Sequence, residues 1–116
     1  MVKNKIIIER KVFWMSIVYL IGITLAYNLW RNNLLVVSIL ALLWAINIKY
    51  WHTRSDNTLF VLAFFGGSLA EINAIQLGIW SYANPSFLGI PLWLPLVWGE
   101  TAVVGKRFAD VLNQLY

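Results

Sequence analysis

Hydrophobic residues make up 60% of the 116-residue chain and charged residues only 12%, about half the charged share of an ordinary soluble domain. That balance excludes a typical water-soluble globule, and equally a disordered chain, which needs low hydrophobicity and high charge. The chain has no cysteine, so disulfides, thiolate metal sites and cysteine nucleophiles are excluded too.

Four apolar spans follow one another in a single domain over residues 1–116, at about 12–30, 34–48, 58–80 and 88–105. A bilayer core needs about 20 helical residues, which the first and third spans supply. The second reaches that length with Asn32, Asn33 and Lys49 snorkelling at its edges. The fourth carries Pro91, Pro95 and Glu100. The first is read as a retained helix and not a signal peptide, since it is long and no small-x-small cleavage site follows. The expected fold is all-α: an integral membrane four-helix bundle.

The net charge of +4 is informative by position. With four spans, Lys3, Lys5, Arg10, Lys11, Lys49, Arg54, Lys106 and Arg107 fall on one side and Arg31 alone on the other. This asymmetry predicts a multi-pass protein of the cell membrane with both termini cytoplasmic. The basic residues are accounted for by topology and anionic lipid head groups, so no nucleic-acid partner is expected. His52, alone in the loop at 49–57, reads as a solvated residue with no metal or cofactor role. Phe13, Trp14, Tyr27, Trp30, Tyr50, Trp51, Trp80 and Tyr82 lie at span ends, where aromatic belts form, whereas Trp44, Trp93 and Trp98 fall inside spans.

The third span holds two patterns. Gly66, Ala70, Ala74 and Gly78 recur every four residues, a small-residue ridge suited to close helix packing in lipid, within the bundle or between protomers. Glu71, Asn73 and Gln76 interrupt the apolar run. A charge at bilayer depth costs about 2.5–3.5 kcal/mol on insertion scales, so Glu71 is expected to face the bundle, a cavity or a partner subunit. Trp93, entering on the fourth span at similar depth, is the expected neighbour of its carboxyl, with Trp80 and Tyr82 at the mouth. Glu100, nearer the cytoplasm and close to Lys106 and Arg107, reads as a snorkelling or ion-paired carboxylate at least as readily as a functional one.

The stretch from Gly78 to Gly99 is rich in turn formers, namely Asn84-Pro85 and Gly89-Ile90-Pro91. Pro91 suits a helix start, and Pro95 one turn on should loosen the helix. Glu71 followed by Gly78-x-Trp80-x-Tyr82, then Gly89-x-Pro91, Pro95 and Trp98, resembles a signature of the membrane-bound carotenoid-biosynthesis hydratases of the bacterioruberin pathway. It is also similar to a segment of small uncharacterised archaeal and bacterial membrane proteins. The resemblance covers residues 71–98, and the hydratases are longer, with more spans. It implies an apolar, isoprenoid- or lipid-like ligand more than any particular reaction.

The expected pocket lies toward the outer leaflet and is lined by Glu71, Asn73, Trp80, Tyr82, Trp93 and Trp98. In it Glu71 serves as polar anchor or, if the chain is an enzyme, as the catalytic proton donor to an alkene or alcohol. The alternative is a non-catalytic accessory or assembly subunit, in a homo-oligomer or larger membrane complex. A small dimeric transporter ranks third, because the small multidrug resistance family carries its carboxylate on the first helix and this first helix has none.

Overall fold

In the computed structural model, which describes residues 2–115 and the side chains of 10–114, the chain forms four helices. They are α1 (Val2–Leu29), α2 (Asn33–Tyr50), α3 (Arg54–Gln76) and α4 (Leu94–Leu115). The side chains of Lys3 and Lys5 lie outside the described set. Three helical stretches are long and apolar enough to cross a membrane: Arg10–Leu29, Asn33–Tyr50 and Arg54–Gln76. The particle is elongated, 49 × 27 × 21 Å.

Local chemistry explains each boundary. The Asn32 side chain accepts from the Leu35 amide and caps α2. Thr53 and Asp56 form a reciprocal capping box that starts α3. At the other end of α3, Ile79 N–H donates to Ala74 and Gly78 N–H to Ile75, with Gly78 at φ +75°. This is a Schellman ending, which requires the left-handed conformation that glycine adopts without strain. The expected third span therefore stops at Gln76 and not at Trp80, and Gly78 terminates the helix instead of extending a packing ridge.

The fourth span also differs from expectation. Residues 77–93 are irregular, with an isolated bridge between Phe87 and Ile90 and a tight turn through Leu88 and Gly89, both at positive φ. α4 begins only at Leu94, one residue ahead of Pro95, while Ile90, before Pro91, is biased away from the helical region. Pro95 thus sits in the first turn, where its missing N–H costs nothing, and it does not loosen the helix. α4 is not among the helices apolar enough to span by composition; its apolar half, 94–105, contains Glu100 and is followed by Lys106, Arg107 and Asp110.

Polarity is distributed in reverse of a soluble bundle. Tyr27, Leu34, Leu42, Leu62, Phe65 and Leu69 point outward, while Asn47, Asp56 and Glu100 are buried. Two apolar clusters fill the interior. One joins Ala26, Val36, Leu40 and Trp44 with Trp93, Leu96 and Val97; the other joins Met15, Val103 and Val104 with Trp51 and Phe60.

The small-residue ridge is largely outside this interior. Gly66 and Ala70 are exposed, a Cβ on Gly66 would meet nothing within 4 Å, and only Ala74 is buried. The close approach of α3 to α4 runs one residue round the helix instead, where Trp98 lies flat on Gly67. A Cβ on Gly67 would overlap the indole. Gly67→Ala is expected to lower stability in micelles by about 1–3 kcal/mol, the usual cost of overpacking, while Gly66→Ala melts like the wild type. Equal melting of the two variants would contradict this helix packing.

Candidate functional site

Two polar centres occupy opposite ends of the bundle. The first is at the 77–93 end. Because α3 ends at Gln76 and the chain reverses, Trp80 and Tyr82 fold back toward Glu71. The Trp80 indole N–H donates to Glu71 Oε2 at 2.8 Å, and Tyr82 lies near enough for the same carboxylate to act on its phenol. Burial, then this carboxylate neighbour, pushes the Tyr82 phenol up to about 12. Glu71 is partly buried, and Trp80 and Tyr82, expected at the mouth of its pocket, lie beside it.

Trp93 is held elsewhere. Its indole donates to Asn33 Oδ1 at 3.0 Å, while Asn33 Nδ2 donates to the Asn84 carbonyl at 2.8 Å and to Ser86 Oγ at 2.7 Å. Asn84 Nδ2 in turn donates to the Trp30 and Arg31 carbonyls. The 77–93 segment is thereby fastened to the α1–α2 turn. Asn33, expected only to snorkel, organises it. Trp93 accordingly sits beside Trp30, just past the end of α1, and not against the Glu71 carboxyl. Asn73 is exposed, and Trp98 packs on Gly67. Of the expected pocket, Glu71, Trp80 and Tyr82 form one cluster; Tyr82 and Trp93 line a common cavity with Trp30, Asn84 and Pro91.

That cavity, about 200 Å³, shares Trp30 and Trp93 with a larger groove of about 420 Å³ between α1 and α4. Ile23, Ala26, Tyr27 and Val97 complete the groove wall. Its size is within the range of small-molecule sites and its walls are overwhelmingly apolar.

The second centre lies where all four helices meet. Glu100 of α4 and the His52 ring, from the α2–α3 turn, are both fully buried, with His52 Nε2 3.0 and 3.1 Å from the two Glu100 oxygens. His52 Nδ1 is 2.8 Å from Asn57 Oδ1 of α3. Asn47 of α2 donates at 3.3 Å both to Glu100 Oε1 and to the Met15 carbonyl of α1. Burial alone lowers the His52 pKa, but Glu100, Asn57 and Asp56 outweigh it, and the net shift is upward from 6.5. Nearby, Arg107 donates through Nε and Nη2 to the buried Asp56 carboxylate, at 3.2 and 3.0 Å.

The reading of His52 as a solvated loop residue is therefore corrected, and of the two readings of Glu100 the snorkelling one falls: it pairs with His52 inside the bundle. The turn folds inward, and Glu100 lies about 10 Å along α4 from Arg107, whose partner is Asp56. The signal available in the sequence was the polar spacing Asn47, His52, Asp56, Asn57 flanking a capping box. Among the described residues no three His, Asp or Glu side chains converge as a metal site. No family model, curated protein or solved structure matches the chain.

Proposed function

We propose that this chain is a four-pass protein of the cell membrane, both termini cytoplasmic, that binds an apolar isoprenoid- or lipid-like ligand in the α1–α4 groove. The observation that carries this reading is the groove itself. It is apolar along Ile23, Ala26 and Val97, and at Trp30 and Trp93 it adjoins the smaller cavity lined by Tyr82. Such a shape suits a hydrocarbon chain with one polar end, the chain lying against α1 and the polar end meeting the Tyr82–Glu71–Trp80 cluster. Sequence asymmetry supports the orientation, which places the 77–93 segment outside and His52 toward the cytoplasm. In this reading α4 crosses as the fourth span because its one mid-helix carboxylate is hidden inside the bundle.

Purification from native membranes, followed by organic extraction and mass spectrometry, tests the proposal. An apolar species should be retained over bulk phospholipid by the wild type and lost from Ile23→Trp, which fills the groove. Retention of nothing beyond bulk lipid would overturn it.

A second reading, a non-catalytic accessory subunit, is favoured by the outward face of α3. There Val61, Leu62, Phe65 and Leu69 are exposed beside the open Gly66 and Ala70. A stable complex with a larger membrane protein, and no retained ligand, would select it.

A further inference from the structure

Glu100 is costly to bury, and the groove does not explain it: neither Glu100 nor His52 lines the groove or the cavity beside it. Their geometry suits a charged pair. Both ring nitrogens of His52 face oxygens: Nδ1 meets Asn57 Oδ1 and Nε2 meets the Glu100 carboxylate. A doubly protonated ring donates from both nitrogens at once, to the Asn57 oxygen and to the Glu100 carboxylate. Imidazolium and carboxylate then neutralise each other in a site that excludes water.

We propose that His52 and Glu100 form an occluded proton-binding site that latches the α2–α3 turn onto α4, and that loss of the proton opens the turn. Every element around the pair contributes to it. Asn47 of α2 and Asn57 of α3 hydrogen-bond the two partners, the Met15 carbonyl of α1 holds Asn47, and Phe60 of α3 packs its ring 6.3 Å from the imidazole. Asp56 is the other carboxylate near His52, and it is neutralised by Arg107. When His52 releases its proton to the bulk, Glu100 is left as an uncompensated buried anion, which the closed turn cannot accommodate. The latch is independent of any ligand in the groove.

Linkage sets the pH window. The folded imidazole binds its proton more tightly than the unfolded one, so the latch is complete below about pH 6.5 and is lost as pH rises through the folded value. Across that interval the opening equilibrium of the turn should rise by up to about tenfold per pH unit.

His52 is the only histidine in the chain, which makes the test unambiguous. Protein with isotope-labelled histidine, in lipid nanodiscs, should show one imidazole signal that titrates above 6.5 with both nitrogens protonated below that pH. Hydrogen exchange over residues 48–58, corrected for intrinsic rate, should accelerate in the same window. Glu100→Gln should lower the His52 titration and flatten the exchange profile. A wild-type histidine that titrates at or below 6.5, or a turn whose opening ignores pH, would overturn the proposal without need of the variant.

Discussion

Glu100→Ala is expected to lower the unfolding free energy in micelles by about 3–5 kcal/mol, the usual cost of removing one partner from a buried ion pair. The substitution leaves a charged or desolvated His52 sealed in the bundle, and it strips Asn47 of one of its two acceptors. Replacing both His52 and Glu100 by leucine should recover much of the loss, since similar apolar volume often substitutes neutrally for a buried pair. Glu71→Gln offers the contrast. Its carboxylate is partly exposed and bonded by Trp80, so the change should cost under about 1 kcal/mol. Denaturant titration followed by circular dichroism separates these cases. A Glu100→Ala protein as stable as Glu71→Gln would mean that the pair is not closed.

Trp44→Ala should be comparably damaging, at about 3–5 kcal/mol. The indole is 1% exposed, stacks on Tyr19 at 5.8 Å, lies over Gly22 and donates to the Leu96 carbonyl at 2.9 Å. It therefore ties α2 to both α1 and α4. Trp44→Phe keeps most of the ring volume and removes only the N–H, so it should cost about 1 kcal/mol, the net value of a typical hydrogen bond. The same unfolding measurement distinguishes a packing role from a hydrogen-bonding one. A Phe variant as unstable as the Ala variant would shift the weight to the Leu96 bond.

The long helices were legible because hydropathy and helix length are properties of contiguous residues. α2 and most of α3 could be read from apolar runs, as could α1 from Val12 onward, although that helix already begins at Val2 and the expected 49–57 loop shrinks to residues 51–53. The return of Trp80 and Tyr82 to Glu71 was legible in part, since those residues had been placed at one mouth. The start of α4 was not, because Pro91 and Pro95 are each compatible with a first helical turn, and only tertiary fastening by Asn33 decides between them. The His52–Glu100 pair was hidden for a different reason. One residue is a lone polar group in a loop and the other a lone carboxylate in a span, 48 positions apart. Hydropathy judges each by its neighbours in sequence, and the polar spacing Asn47, His52, Asp56, Asn57 does not by itself say that the turn folds inward. Likewise the i, i+4 repeat of small residues was visible, but one helix face away from the contact that Gly67 makes.

Photolabelling of the protein in membrane vesicles with an alkyne-tagged diazirine isoprenoid alcohol tests the ligand-binding account most directly. The groove predicts labelling of peptides that contain Ile23–Trp30 and Trp93–Val97, competition by unlabelled prenyl alcohol, and loss of that signal in Ile23→Trp. Label spread over Val61, Leu62, Phe65 and Leu69 on the outward face of α3, and indifferent to competitor, would contradict it.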